Sequence, residues 1–200
     1  MELENVIGRI PIGTYEVVDF GSGNGRLTVP LLKRGYKVTA IDVSEESHLE
    51  LKELVKKLGY TVKTAGSLLK LKNIKTVVGC DILHHVDMET ALRNIHKTLN
   101  RGGTIIFSEP NALNPVWYLY FILKGIIKYE KNIVYMSRWN IYKTLKKNGF
   151  KNIEVDGLGL FPRSIFRNKL ICKINDRLGN LPFIKIFAYR YILRAQKTHE

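Results

Sequence analysis

Three groups of residues have types and spacing suited to chemistry. The first is Val17-Val18-Asp19-Phe20-Gly21-Ser22-Gly23-Asn24-Gly25, an apolar β-branched stretch that reaches a carboxylate and then breaks into glycines at alternate positions. Glycine accepts positive φ and carries no Cβ, so a ligand can approach bare main chain there. The dinucleotide fingerprint is Gly-x-Gly-x-x-Gly. Here the spacing is Gly-x-Gly-x-Gly, and Arg26 occupies the place of the third glycine. Asp19 would repel a pyrophosphate but suits a cationic ligand. An ordinary strand-to-helix turn is the plain alternative. The second group is Asp42, which closes the run Tyr36–Asp42 where a doubly wound sheet grips a ribose diol; a helix-capping carboxylate is the alternative. The third is His84-His85, either of which can take a proton near neutral pH. Packing or hydrogen bonding is the competing role for each.

These groups need elements to hold them. Runs of β-formers predict strands at 15–20, 36–42, 60–64, 75–80 and 103–109. Helical spacing predicts helices at 24–34, 45–58 and 88–99, with Ser44 and Asp87 as N-caps and Gly102-Gly103 as a stop. The helix from Asn24 would aim free N–H groups at the ligand. The connection 65–74 is too short for a helix. Strands alternating with helices imply a parallel sheet with right-handed crossovers. Asn111–Pro115 reads as a turn, followed by an apolar, aromatic stretch over 116–127. Residues 137–148 predict a helix capped by Ser137, and 150–156 a sixth strand. Residues 158–184 read as an irregular insertion, and 185–195 as a last, antiparallel edge strand. Met1–Ile12 shows too little periodicity for a helix.

VVDFGSGNG, IDVS at 41–44, CDILHHV at 80–86 and LNRGGTIIFSEPN at 99–111 together resemble motifs of the class I S-adenosylmethionine-dependent methyltransferases. The resemblance is to the small-molecule kind that includes quinone-biosynthesis enzymes, and it covers about residues 15–111 well. It implies an α/β fold: a Rossmann-like, doubly wound, mostly parallel seven-stranded sheet with a last antiparallel strand and cap insertions. It implies S-adenosyl-L-methionine as cofactor. The methionine part would lie against Asp19, Phe20, Gly21, Ser22, Gly23 and Gly25, and the ribose against Asp42 with Val43. Ser67, Leu68 and Asp81 would flank the adenine, Ser67 replacing an acidic residue usual in the family. His84 and His85 are the catalytic candidates. Glu109 either faces the methyl acceptor or caps its turn. No Asn-Pro-Pro-Tyr or Asp-Pro-Pro-Tyr follows the fourth strand, which speaks against amino methylation of a nucleic acid base.

Two hundred residues suit one domain, with a cofactor half at 15–110 and a substrate and cap half at 111–200 carrying insertions near 111–135 and 158–184. Cys80 and Cys172 lack metal or redox spacing and read as buried thiols in a reducing compartment; no metal centre is expected. His48, His96 and His199 read as surface residues. Glu2 and Glu4 with no apolar h-region give no sign of a signal peptide, and Val116–Leu123 is too short to span a membrane. The expectation is a cytoplasmic protein, with peripheral membrane contact as an option.

The formal net charge of +14 is uneven: 15 Lys/Arg face 13 Asp/Glu in residues 1–110, and 17 face 5 in residues 111–200. Such asymmetry points to an anionic partner, a membrane surface or nucleic acid, unless it is a solvated lysine face. Lys124 and Lys128 beside the aromatics, and Arg163, Arg167, Lys169, Lys173 and Arg177 interleaved with Ile165, Phe166, Leu170 and Ile171, fit a basic amphipathic surface. The leading reading is in-line methyl transfer to a small-molecule or lipid-like acceptor. RNA methylation using the basic half is one alternative, and a non-catalytic adenosyl-cofactor-binding module another.

Overall fold

The computed structural model describes residues 2–126 and 130–198. Seven strands form one sheet: β1 (Glu16–Phe20), β2 (Lys37–Ile41), β3 (Lys63–Ala65), β4 (Ile74–Cys80), β5 (Leu99–Pro110), β6 (Phe150–Leu158) and β7 (Arg190–Lys197). Their order is β3-β2-β1-β4-β5-β7-β6. The first five strands pair in parallel, and β7 runs antiparallel to both neighbours. The winding direction reverses between β1 and β4, and the carboxyl ends flanking that reversal are where open α/β sheets bind ligands.

The helices are α1 (Glu2–Ile7), α2 (Thr28–Lys33), α3 (Glu45–Lys57), α4 (Met88–Thr98), α5 (Pro115–Lys124), α6 (Arg138–Lys147) and α7 (Lys169–Gly179). Successive strand residues point to opposite faces. Val77, Ile105 and Leu193 therefore join the core under α4 and α6, with Leu92, Ile95 and Ile141. Their neighbours Val78, Ile106 and Ile192 join the other core, with Val6, Leu31 and Leu51. Burial on both faces explains why these strands read as continuous apolar runs. Ser44, Asp87 and Ser137 accept the backbone N–H of Ser47, Thr90 and Asn140, so the three expected caps form.

The structure corrects several expectations. Residues 2–7 form a helix, because Val6, Ile7 and Ile10 have a core to bury against that short periodicity does not reveal. Helix α2 begins at Thr28, since residues 21–27 continue as turns; no helix N-terminus opens at Asn24. Gly102-Gly103 lies within β5, which follows α4 directly. Residues 158–184 contain α7, capped by Asn168. Strand β7 is interior, and β6 is the edge. His48 is buried on α3, and His96 packs edge-on against Phe150. Cys80 and Cys172 are only partly buried. Ile127, Lys128 and His199 lie outside the described residues. No helix among the described residues is long and apolar enough to cross a membrane.

Candidate active site

The glycine turn sits at the carboxyl end of β1, beside the reversal of winding. Gly21, Gly23 and Gly25 all have positive φ. A Cβ on Gly21 would collide with Ile82, so that glycine lets the turn pack against the segment after β4. A Cβ on Gly23 would meet nothing within 4 Å, leaving open space before its main chain. Asp42, at the end of β2, accepts the N–H of Gly23 at 2.8 Å and of Ser44 at 3.0 Å. It fixes the turn, and its oxygens retain lone pairs for a diol.

Asp19 is 1% exposed. Its Oδ2 accepts the Thr28 hydroxyl at 2.6 Å, while Oδ1 is buried without a partner. Burial pushes the carboxyl up to about 7; Thr28 opposes this and the nearby Asp42 charge adds to it. Ser22 Oγ is a second buried atom without a partner. Two orphaned polar atoms beside bare, open main chain fit a cationic, hydrogen-bonding ligand such as the aminoacyl end of S-adenosylmethionine. Phe20 packs edge-on to Phe107, and Val43 is exposed beside Asp42. Ser67 caps the short 3-10 turn that begins with buried Leu68. Asp19, Phe20, Gly21, Ser22, Gly23, Gly25, Asp42 and Val43 thus gather along the ends of β1 and β2, with Ser67 and Leu68 following β3.

Asp81, with a φ of 57°, ends β4 in an ion cluster. Its carboxylate pairs with Arg26 and Arg190, and Glu2 on α1 pairs with the same two arginines. Burial disfavours the charge on Asp81, but Arg190 and then Arg26 hold its pKa below the usual range. Ser108 donates to Glu2 at 2.8 Å and accepts Arg190 Nε at 3.1 Å. Arg190 lies 5.5 Å from the Trp117 ring centroid, and Trp117 stacks on Tyr189. α5 therefore reaches this ion cluster through Trp117, and Asp81 is an ion-pair partner in it.

The two histidines separate. His84 is buried, and its Nδ1 lies 2.6 Å from Glu109 Oε2. Glu109, fully buried at the end of β5, also accepts the N–H of Ile82 at 3.0 Å and Leu83 at 2.9 Å. It is neither a turn cap nor free: it locks the post-β4 segment and orients an imidazole. Burial lowers the His84 pKa, yet the Glu109 hydrogen bond and charge outweigh it and the net shift is upward. His85 is exposed, its ring centroid 4.0 Å from that of His84.

Sequence reasoning missed Glu2, Arg190 and Glu130, whose side chains reach this end from α1, β7 and the segment after α5. Only Arg190 left a signal, a cation opening the apolar run Tyr191–Leu193. A broad groove of about 1160 Å³ lies at the opposite, amino-terminal edge of β1, β4 and β5 and holds none of these groups.

A family model described as a methyltransferase domain matches residues 18–107. The ubiquinone biosynthesis O-methyltransferase of Rickettsia canadensis is 27% identical over 175 residues, which cover 79% of this chain and 74% of that protein. An uncharacterised methyltransferase of Bacillus cytotoxicus is 34% identical over 113 residues, covering 54% of this chain and 51% of that one. The crystal structure of a Thermotoga maritima protein, described as a SAM-dependent methyltransferase and possible histamine N-methyltransferase, superposes with a TM-score of 0.74. It is 21% identical, with 98% of this chain and 87% of that chain covered. The strand order agrees with that likeness, and the cradle at β1 and β2 suits the donor that these enzymes use. Residues 18–107 thus carry a methyltransferase domain, and its likeness is to the class I S-adenosylmethionine-dependent enzymes.

Proposed function

We propose that this enzyme methylates a hydroxyl oxygen of a small, lipid-like acceptor. The relative named for ubiquinone biosynthesis supports an oxygen acceptor. The observation that carries the reading is His84, fixed by Glu109 at the carboxyl edge of the sheet. When bound, the cofactor supplies a methyl group already activated on a sulfonium. The chain's task is then alignment and exclusion of water. Asp19, Phe20, Gly21, Ser22, Gly23 and Gly25 hold the aminoacyl end, with Asp81 shaping its border through Arg26 and Arg190. Asp42 and Val43 hold the ribose, and Ser67 and Leu68 the adenine. His84 and His85 stand at the acceptor end, His84 with its ring orientation set by Glu109.

The cap favours an apolar acceptor drawn from an anionic membrane surface. Leu119, Tyr120, Ile122 and Leu123 on α5 are exposed, as are Leu170, Ile171 and Ile174 on α7 and Phe183 and Phe187 beyond it. Lys124, Arg167, Lys169 and Lys173 lie among them, the composition of a surface that seats in headgroups. Calorimetry with S-adenosylmethionine and its demethylated product tests the cofactor assignment, and absence of binding refutes it. Co-sedimentation with phosphatidylglycerol vesicles but not phosphatidylcholine vesicles is expected. RNA retention at physiological salt without vesicle binding would replace the lipid reading with RNA methylation.

A further inference from the structure

Glu130 approaches the two histidines from a segment far along the chain. It immediately precedes a 3-10 turn (Lys131–Tyr135) anchored by buried Ile133 and Met136, and the Met136 carbonyl accepts the N–H of Ala112. Glu130 Oε2 lies 3.5 Å from His84 Nε2, too far for a good hydrogen bond. That oxygen is inaccessible to solvent and has no hydrogen-bond partner. One ligand atom each from His84, His85 and Glu130 lie within 4.8 Å of one another. On the far side of the His84 ring, Nδ1 meets Glu109 Oε2, while Glu109 Oε1 is held by two backbone N–H groups.

This is the layout of a metal centre with its supporting shell. A ligating histidine characteristically gives its other ring nitrogen to a carboxylate, which sets the tautomer and the ring direction. A buried carboxylate oxygen that only faces an imidazole edge across a gap lacks the partner that burial demands. A cation between them would satisfy Oε2 and Nε2 together. Two imidazoles and one carboxylate select first-row divalent ions such as zinc, cobalt, manganese or iron(II) over calcium or magnesium. Three protein ligands also leave coordination positions open.

We infer that His84, His85 and Glu130 bind one first-row divalent cation, with Glu109 as the positioning carboxylate behind His84. Resting on the methyl-transfer reading above, an open position would take the acceptor hydroxyl, whose ionisation the cation's charge favours, the proton leaving to solvent water. His84 then acts on the acceptor through the ion.

The binding claim is tested without turnover. Tag-free, chelator-stripped protein is titrated with cobalt(II), read by its visible d–d absorption, and zinc(II) is then added in competition. One cobalt per chain is expected, displaced by zinc. Glu130→Gln and His85→Ala should each weaken cobalt binding by about tenfold or more. Their circular dichroism and affinity for S-adenosylmethionine should match the parent chain. His84→Ala is a poor probe, because it strands buried Glu109. No saturable cobalt spectrum at millimolar metal overturns the inference and leaves an ion pair only. Undiminished binding by both variants overturns it as well. The cobalt readout needs neither cofactor nor acceptor, so loss of the methyl-transfer reading would leave a positive result standing.

Discussion

Asp19 ties the stability of the cofactor-free protein to pH. Its carboxyl is buried at the end of β1, with one oxygen on Thr28 and the other without a partner. Burial moves its pKa from 3.8 to about 7. A carboxyl with a raised folded-state pKa holds its proton more tightly folded than unfolded, so stability falls as pH rises between those values. The span corresponds to about 4 kcal/mol, present below pH 4 and gone above pH 7. Asn has the same shape and no charge to bury. Asp19→Asn should therefore match the parent protein near pH 4 and exceed it progressively toward pH 8. Each kcal/mol moves the melting temperature of a chain this long by roughly 2–4 °C. The assay is a set of apo melts or urea titrations of both proteins from pH 4.5 to 8. The same substitution should weaken binding of the cationic cofactor at pH 8, where only the parent carries the charge. Parallel stability curves across this window would refute the reasoning, since they would mean that Asp19 titrates as an ordinary carboxylate.

Three further substitutions probe the site's framework. Asp42→Ala removes the acceptor of the Gly23 and Ser44 N–H groups and should weaken cofactor binding by about 10- to 100-fold in calorimetry, with the circular dichroism unchanged. Arg190→Met strands Asp81 and Glu2 and should cost about 3–5 kcal/mol in urea unfolding; a loss under about 1 kcal/mol would mean the cluster adds little. Asn175→Ala should cost about 1–3 kcal/mol by the same measurement, because that buried amide accepts the N–H of Leu160 and Phe161 and donates to the Phe161 carbonyl.

How much of this was legible in the sequence follows from how local each feature is. The glycine turn, Asp42 and the three caps depend on residues within a few positions of one another, and the strand runs at 17–20, 37–41 and 75–80 stand where expected. Helix α1 was not legible, since six residues carry too little period and Val6 is buried only because β4 and β5 lie beneath it. The inner place of β7 was hidden for a related reason. Alternation marks a strand with one wet face, yet β7 is buried over Arg190–Leu193 by α-helical layers and by β5 and β6 on its flanks. Its buried cation, Arg190, meets Asp81 and Glu2 rather than water.

That same cation explains why the ends of β4, β5 and β7 resist reading from sequence. The glycine turn and Asp42, which fixes it, belong to one βαβ unit, so their motif is nearly contiguous. The ends of β4 and β5 are instead tied by side chains that pair across the sequence: Glu2 and Asp81 with Arg26 and Arg190, and Glu109 with His84. Buried members of such clusters, Arg190 and Glu109 among them, must be nearly balanced, because an unpaired buried charge costs several kcal/mol. Each partner can come from any strand end that reaches the edge, and no spacing rule records which one does. These paired groups therefore lie where local sequence pattern carries least information, and a single substitution, such as loss of Arg190, changes the balance of charge for every group around it.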